Sequence, residues 1–532
     1  MKQLLFLLGV TIILTSCGTI VKHNEAVTKL HPVEDLHDDI DQLYKQLQRL
    51  HPRLYQYTSK ETLDFKFDSL KKAIDQPMTS RTFHKSLAQV TKYVGQGHMS
   101  VSAPSTRFNR KERKARRGAK FDINNLDFEY LDDRIIVRNA RGKDSVLVNA
   151  ELLEVNGQNA MDLHQQFKKT VASDGYNTTF HNRVVGYRFL SYYQQANGRF
   201  DSIALRFRNP DSTFLKTYKR VFKSTKNLLK KDSIAKTIPK DTLTKTEKKA
   251  KRKIDRLKRR QRSKDRKKYG YDFLNRTYIK NLSFIGEDST VAFLEIKSFS
   301  KGSKYEDFYE EVFAKIDSAK SQYLIIDLRN NFGGRLKEIT CLYSYLTDEN
   351  FVMINPSEIN SRSPFLKYMM SNARPTSTKI LAGIFSPFIY GYDLFKTKKE
   401  KGQLYYRFKA SREQEPKPNN FKGKIYVLIN GNSFSASSVL STKLHGNKQA
   451  TFVGEETGGA YNGTVAGFYK IYELPNTKVK ARIGLAHIDA PNKTKPDGYG
   501  VKPDVDILPT YQDRLNQLDL ELEWVLEDIK KK

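Results

Sequence analysis

Four serines crowd the stretch from Asn430 to Ser438, NGNSFSASS, between the apolar run KIYVLIN and VLSTKLH, which reads as the start of a helix. A serine at the turn from a buried strand into a helix presents its oxygen at the strand's carboxyl end. There the next backbone N–H points outward at the helix N-terminus and can hold an oxyanion. That arrangement suits acyl transfer, although serine is equally a favoured helix cap. A second stretch, LIIDLRNNFGG, ends a buried strand in polar residues and the pair Gly333 and Gly334, where the backbone can approach a ligand closely and aim an N–H at it. A nucleophilic serine also needs a base, and VGQGHMSV supplies His98 after Gly97. A lone histidine in such a loop also serves structure. The ten histidines show no metal-ligand spacing, so neither a metal nor another cofactor is expected.

The elements that must hold these residues follow from periodicity. From Val33 to about Val94 apolar residues recur at helical spacing, interrupted at Pro52, which predicts a small helical region ending at His98. Beyond a basic link at Arg107 to Arg117, FDINNLDFEYLDDRIIVRNA and SVLVNAELLEVNGQNAMDLHQQF predict short strands, a turn at Asn156-Gly157 and a helix from Met161. Then VAFLEIKSF, YEDFYEEVFAKIDSA, YLIIDLRNN and LKEITCLYSYL alternate strand with helix, an α/β pattern that KIYVLIN, a helix from Ser435 and ATFVGEE continue. GFYKIYELPNTKVKARIGLAHID reads as a hairpin. Residues 350 to 420 have weak periodicity and are expected to form a long functional loop, such as a lid. The tail places Leu515, Leu518, Leu522, Val525 and Ile529 on one face of a closing helix.

Taken together, these segments resemble one family, the tail-specific or C-terminal processing serine peptidases that include the tricorn core protease. Five forms occur in the family's order: G-x-G-H-x-S at Gly95 to Ser100, D-L-R-N-N-x-G-G at Asp327 to Gly334, S-A-S at Ser435 to Ser437, G-E-x-T-G-G at Gly454 to Gly459, and G-x-G-V-K-P-D at Gly498 to Asp504. The helical region and VNAELLEVNGQNA, which looks like the family's PDZ-like domain, extend the resemblance. It implies an α/β catalytic domain of ClpP/crotonase-like fold, with an N-terminal helical domain and a small PDZ-like β-rich domain. The implied activity is a serine endopeptidase that hydrolyses peptide bonds of protein or peptide substrates through an acyl-enzyme. The resemblance assigns Ser435 as nucleophile and leaves Ser433, Ser437 and Ser438 to the turn. One branch of the family uses a lysine at the position of Ala460, which this chain lacks. The tricorn-like branch uses a histidine and a carboxylate, here His98 and Asp497, with Asp497 standing where glutamate is usual. Ser438 also departs from the pattern, standing where an acidic residue is common. The implied oxyanion donors are the amides of Ala436 and of one of Gly333 and Gly334.

The chain ends and the charge set the remaining expectations. MKQLLFLLGVTIILTSCGTI has one basic residue, a short apolar run and LTSC, which resembles the bacterial lipobox; cleavage there would leave Cys17 as a lipid-modified N-terminus. With two cysteines in all, no disulfide framework follows. The expected location is therefore the cell envelope, lipid-anchored, on the periplasmic or surface face of the outer membrane, and nucleic acid is not an expected partner. The formal charge of +34 is concentrated: Lys216 to Lys268 hold 24 basic against 5 acidic residues and almost nothing apolar, which predicts an exposed helix or an unordered insertion able to meet an anionic surface. The expected organisation is a leader over 1–16, a tether over 17–30, a helical domain over 31–105, a PDZ-like domain over 106–222, the basic insertion over 223–270, the catalytic domain over 271–510 and a terminal helix over 511–532. Two rival functions are a catalytically inactive peptide- or lipid-binding relative and an anion-binding surface lipoprotein. Retention of both Ser435 and His98 favours the peptidase.

Overall fold

The computed structural model describes residues 20–222, 244–286 and 288–531, so the expected leader, Cys17 and the first part of the basic insertion lie outside the described residues. The short apolar runs of the second half form a six-stranded sheet in the order Lys280–Ile285, Val291–Ile296, Tyr323–Asp327, Lys424–Ile429, Ala450–Gly454, Val505–Asp506, parallel except for the first pair. Alternation along each strand fills both faces. Leu324 and Ile326 face a core with Phe308, Ile339 and Leu440 from the helices Tyr305–Ser318, Leu336–Tyr343 and Ala436–Gly446. Ile325 and Leu428 face Val525 of the terminal helix Leu520–Lys530. That helix starts later than the sequence pattern implies, because Asp519 caps it at the Leu522 amide and also pairs with Arg329. Leu515 closes a separate short helix, Tyr511–Leu515, and Leu518 is exposed.

A second sheet is antiparallel and built around the long hairpin Gly463–Glu473 with Lys480–Asp489. Ser100–Ser102 adds to it, with Val101 opposite Ala481. The helices Val33–Leu50, Lys60–Ala73 and Ser80–Thr91 pack on this hairpin: Leu36, Ile40 and Phe83 share one core with Val479, Ala481 and Ile483. The N-terminal helices therefore lack a closed core of their own. Buried Asp39 joins the two parts by accepting the amides of Asn476 and Thr477 at 3.0 and 2.8 Å. The consequence for the site is that the His98 loop is fixed between a helix and a strand.

The β-rich module contains Leu126–Leu131, Arg134–Ala140, Glu151–Val155, Ser202–Asn209 and Ser212–Lys219 in one antiparallel sheet. Asn156 and Gly157 make the expected turn with φ of +49° and +81°, and the following helix is Ala160–Lys168, capped by Asn159. The basic link carries a helix, Arg110–Arg116, started by an Asn109–Glu112 capping box.

Residues 350 to 420 are not a loop. They form the helices Pro364–Met369, Thr376–Ile384 and Ser386–Lys396 and three strands, Ser357–Ile359, Thr397–Glu400 and Gln403–Tyr406, that extend the second sheet. The helices are apolar on their outer as well as their inner side, which erases the polar face on which helical periodicity depends. The described part of the basic insertion is a helix, Lys245–Tyr269. No helix among the described residues is long and apolar enough to cross a membrane.

Candidate active site

The strand Lys424–Ile429 runs into the serine-rich turn, and the helix Ala436–Gly446 leaves it. Three of the four serines are buried and committed. Ser433 Oγ donates to the Leu328 carbonyl and accepts the Asn430 amide. Ser437 Oγ donates to the Asn331 carbonyl, and Ser438 Oγ donates to the Ser433 carbonyl while accepting the Gly459 amide. Only Ser435 is partly exposed. Its backbone has φ +61° and ψ −121°, a conformation that costs a non-glycine residue about 1–3 kcal/mol and that the surrounding bonds must enforce. This strained elbow lifts Oγ away from the helix and toward His98 Nε2, 3.0 Å away.

His98 is held on every side. Its ring stacks on Phe434 at 4.6 Å and Tyr469 at 5.8 Å, and Phe434 in turn stacks on Phe180 of the β-rich module at 4.4 Å. Arg482 lies 3.6 Å over the Tyr469 ring. Behind the imidazole, Nδ1 is 3.2 Å from Thr464 Oγ1, which donates to Asp174 Oδ1 at 3.1 Å. The single hydroxyl proton of Thr464 goes to the carboxylate, so Thr464 can only accept from His98. That places the ring proton on Nδ1 and the lone pair on Nε2, facing the Ser435 hydroxyl. Asp174 is fully buried and also accepts the Gly97 amide at 2.7 Å. Burial pushes its carboxyl up to about 6, against the hydrogen bonds from Gly97, Thr464 and Ala460. Burial, with a smaller contribution from Arg482, pulls His98 down to about 3. At neutral pH the resting site thus holds a carboxylate and an uncharged imidazole of the tautomer a general base needs.

Asp497 does not meet His98. One carboxylate oxygen accepts its neighbour's amide, Gly498 N, at 2.7 Å, and the other accepts Gln56 Nε2 at 3.0 Å. Gln56 accepts from Gln96, and Gln96 accepts the Val465 amide, so Asp497 reaches the neighbourhood of Thr464 only through two glutamines. The aspartate arm is one methylene shorter than the usual glutamate and folds back on its own backbone. The carboxylate in line with the imidazole is Asp174, and neither it nor Thr464 is among the residues expected from the sequence. Asp174 sits in an ordinary turn-like string, SDGYN, 290 residues from the threonine it meets, so no local spacing marks it.

Asn331 fixes the glycine pair. Its side chain donates to the Ile296 carbonyl and accepts the Gly333 amide at 2.9 Å, while its own carbonyl takes the Phe434 amide. Gly333 has φ +85°, and a Cβ there would lie 2.6 Å from Ala436 N, so only glycine permits this approach to the nucleophile turn. With the Gly333 amide committed, the amides of Gly334 and Ala436 carry no hydrogen bond among the described residues. Of the expected donors, these two remain for an oxyanion.

Residues 290–507 match the sequence model of peptidase family S41. The chain carries a peptidase family S41 domain. The family is one of serine-type peptidases, and Ser435, Gly334 and Asp497 fall inside the matched span of this S41 domain. His98 and Asp174 lie before it and reach the site through the fold. Among solved structures, mature CPAF complexed with lactacystin is 16% identical at a TM-score of 0.57, covering 94% of this chain and 98% of that one. Mature CPAF alone gives 16% and 0.54, covering 90% and 94%. Tricorn protease is 13% identical at a TM-score of 0.38, over 93% of this chain and 36% of that one. The CPAF likeness is one of fold, extending over nearly the whole chain. No curated protein sequence matches the chain.

Proposed function

We propose that this chain is a serine endopeptidase in which Ser435 attacks the scissile carbonyl and His98 moves the protons. The observation that carries the reading is the 3.0 Å approach of Ser435 Oγ to His98 Nε2 at a strained turn beside two uncommitted amides. As Oγ bonds to the carbonyl carbon, its proton passes to Nε2, and the tetrahedral oxyanion is held by the Ala436 and Gly334 amides. The imidazolium gives that proton to the departing amine, leaving an acyl-enzyme on Ser435. Water then loses a proton to Nε2 and attacks the ester carbonyl, and the imidazolium returns that proton to Ser435 Oγ as the acid leaves. Asp174, through Thr464, keeps the Nδ1 proton in place and stabilises the imidazolium that forms. A cleft of about 1000 Å³, lined by Asn330, Phe332, Arg138 and Arg183 among others, reaches Phe332, the residue before the glycine pair.

The finer parts of the reading are that the Leu126–Lys219 module is PDZ-like, that the parallel-sheet region is ClpP/crotonase-like, and that the domain boundaries follow the sequence. Lipidation at Cys17 would hold the enzyme at the cell envelope, with the basic insertion as a second contact to anionic surfaces. The test is labelling by a serine-reactive fluorophosphonate, with casein hydrolysis measured in parallel and lactacystin as a competing probe. Ser435→Ala should abolish both signals, whereas Ser433→Ala and Ser437→Ala should keep a labelled fraction. Equal labelling of Ser435→Ala would move the nucleophile elsewhere.

A further inference from the structure

Among the described residues, the helices Thr376–Ile384 and Ser386–Lys396 carry the largest concentration of exposed apolar side chains. Of the 25 exposed large hydrophobic residues among those described, ten fall between Met370 and Phe395, which makes a patch rather than scattered exposure. Phe388 and Phe395 are each 78% exposed, and Ile384 64%. The inner side is firmly held: Asp393 is buried and accepts the amides of Phe365 and Leu366, and Phe365 packs on Phe468. Ser371 accepts the Ile471 amide, and Asn372 the Glu473 amide. These two bonds also blunt the open edge of the strand Gly463–Glu473. The apolar face is therefore presented outward by a fixed base.

Charge says what it faces. From Arg362 to Lys401 there are eight basic residues and two acidic ones; of the acids, Asp393 is buried and Glu400 is paired with Lys398. Lys396 lies over the Tyr392 and Phe395 rings, with its stem along the aromatic surface, and Lys398, Lys399 and Lys401 are exposed just beyond. Aromatic side chains flanked by lysines, on short helices with one apolar face, are the composition of a segment lying in a membrane interface. A second copy of the chain would bring this basic rim against itself. Position agrees with the charge: Ile20, the first described residue, lines a cleft with Lys480, whose cross-strand partner Glu473 is held by Asn372. The start of the described chain and the segment that leads into the apolar helices thus meet the same end of the long hairpin.

We propose that the Thr376–Lys396 helical pair is a membrane-docking surface that inserts its aromatic face into an anionic lipid interface, independently of any lipid on Cys17. The test uses residues 17–532 produced without the leader, hence unlipidated, and with residues 225–262 deleted so that the basic helix does not bind in its place. Co-sedimentation is measured with vesicles of phosphatidylcholine and phosphatidylglycerol. The parent protein should bind, Phe388→Ser/Phe395→Ser should lose about tenfold or more in partitioning, and Lys398→Glu/Lys399→Glu should bind less and lose its salt dependence. Phe388→Trp gives a second readout, a blue shift in emission on adding the vesicles. Failure of the parent to bind, or equal binding by the serine variant, overturns the proposal. So would a dimer that Phe388→Ser/Phe395→Ser dissociates without vesicle binding, or a rise in KM for soluble casein in that variant, which would assign the face to a second copy or to substrate.

Discussion

The pocket behind His98 and the rim at Asp497 each hold an aspartate, and the fold treats them in opposite ways. Asp174 is sealed from solvent, takes bonds from Gly97, Thr464 and Ala460, and lies one hydroxyl away from the imidazole. Asp497 is partly exposed and is satisfied by its neighbouring amide and a glutamine. A carboxylate orients and stabilises an imidazolium strongly only from a low-dielectric position with a fixed hydrogen bond. Burying it costs desolvation energy, which appears here as the rise of Asp174 to about 6. In the proposed mechanism, the carboxylate that the sequence motif names and the one placed in line with the imidazole do not coincide.

The sharpest way to break this comparison is at Asp174. Asp174→Asn should lower kcat/KM by about 10² to 10⁴, and Thr464→Val by a similar factor, because either leaves the Nδ1 proton without its proper acceptor. The acidic limb of the pH profile should sit near 6, where Asp174 takes up a proton, and not near 3, where His98 itself would. Stability runs the other way. A carboxyl whose folded pKa is raised contributes stability that is fully present below its unfolded value and lost as pH rises through the folded value. For Asp174 that window is about pH 4 to 6, with a loss on the order of 3 kcal/mol. Melting temperatures of wild type and Asp174→Asn across this range should therefore diverge in favour of the variant as pH rises, while its activity stays low. Parallel curves would mean that Asp174 does not titrate in the site.

The expectation for Asp497 is smaller. Asp497→Asn should change kcat/KM by less than about tenfold, since the amide can still engage Gln56 and no bond to His98 is lost. A loss matching that of Asp174→Asn would restore Asp497 to the catalytic group and would require the Gln56–Gln96 chain to transmit its effect.

That Ser435, His98 and the glycine pair come together was legible in the sequence because each sits in a local string with its own turn chemistry. Those strings are a strand running into a helix, a Gly-rich loop, and a strand ending in Asn-x-Gly-Gly. Most strands of the parallel sheet were legible for the same reason, as apolar runs between polar turns. Asp174 and Thr464 were not, because their meaning arises only when the β-rich module and the long hairpin close around His98. Residues 350 to 420 failed for a different reason. Helical periodicity is a contrast between two faces, and Ile384, Phe388 and Phe395 point outward where polar residues would have supplied it.

The weakest effect is expected at the basic helix, which differs from both aspartate regions in having almost no stake in the core. Ile254 and Leu257 are more than half exposed, so residues up to Arg262 bury little. The last turn is different. Lys268 pairs with Glu311, Tyr269 also reaches Glu311 and sits edge-on to Phe308 at 5.6 Å, and the Lys267 carbonyl accepts the Lys304 amide. Deleting 225–262 with a flexible linker should leave casein hydrolysis unchanged and the melting temperature within about 2 °C. Extending the deletion to 268 removes the Lys268 pair, a partly exposed contact worth up to about 1 kcal/mol, and the carbonyl that steadies the start of Tyr305–Ser318. The melting temperature should then fall by a few degrees more, with kcat/KM still unchanged because Ser435 and His98 are untouched. A large loss already in the shorter deletion would show that the exposed part of the helix packs against the body of the protein.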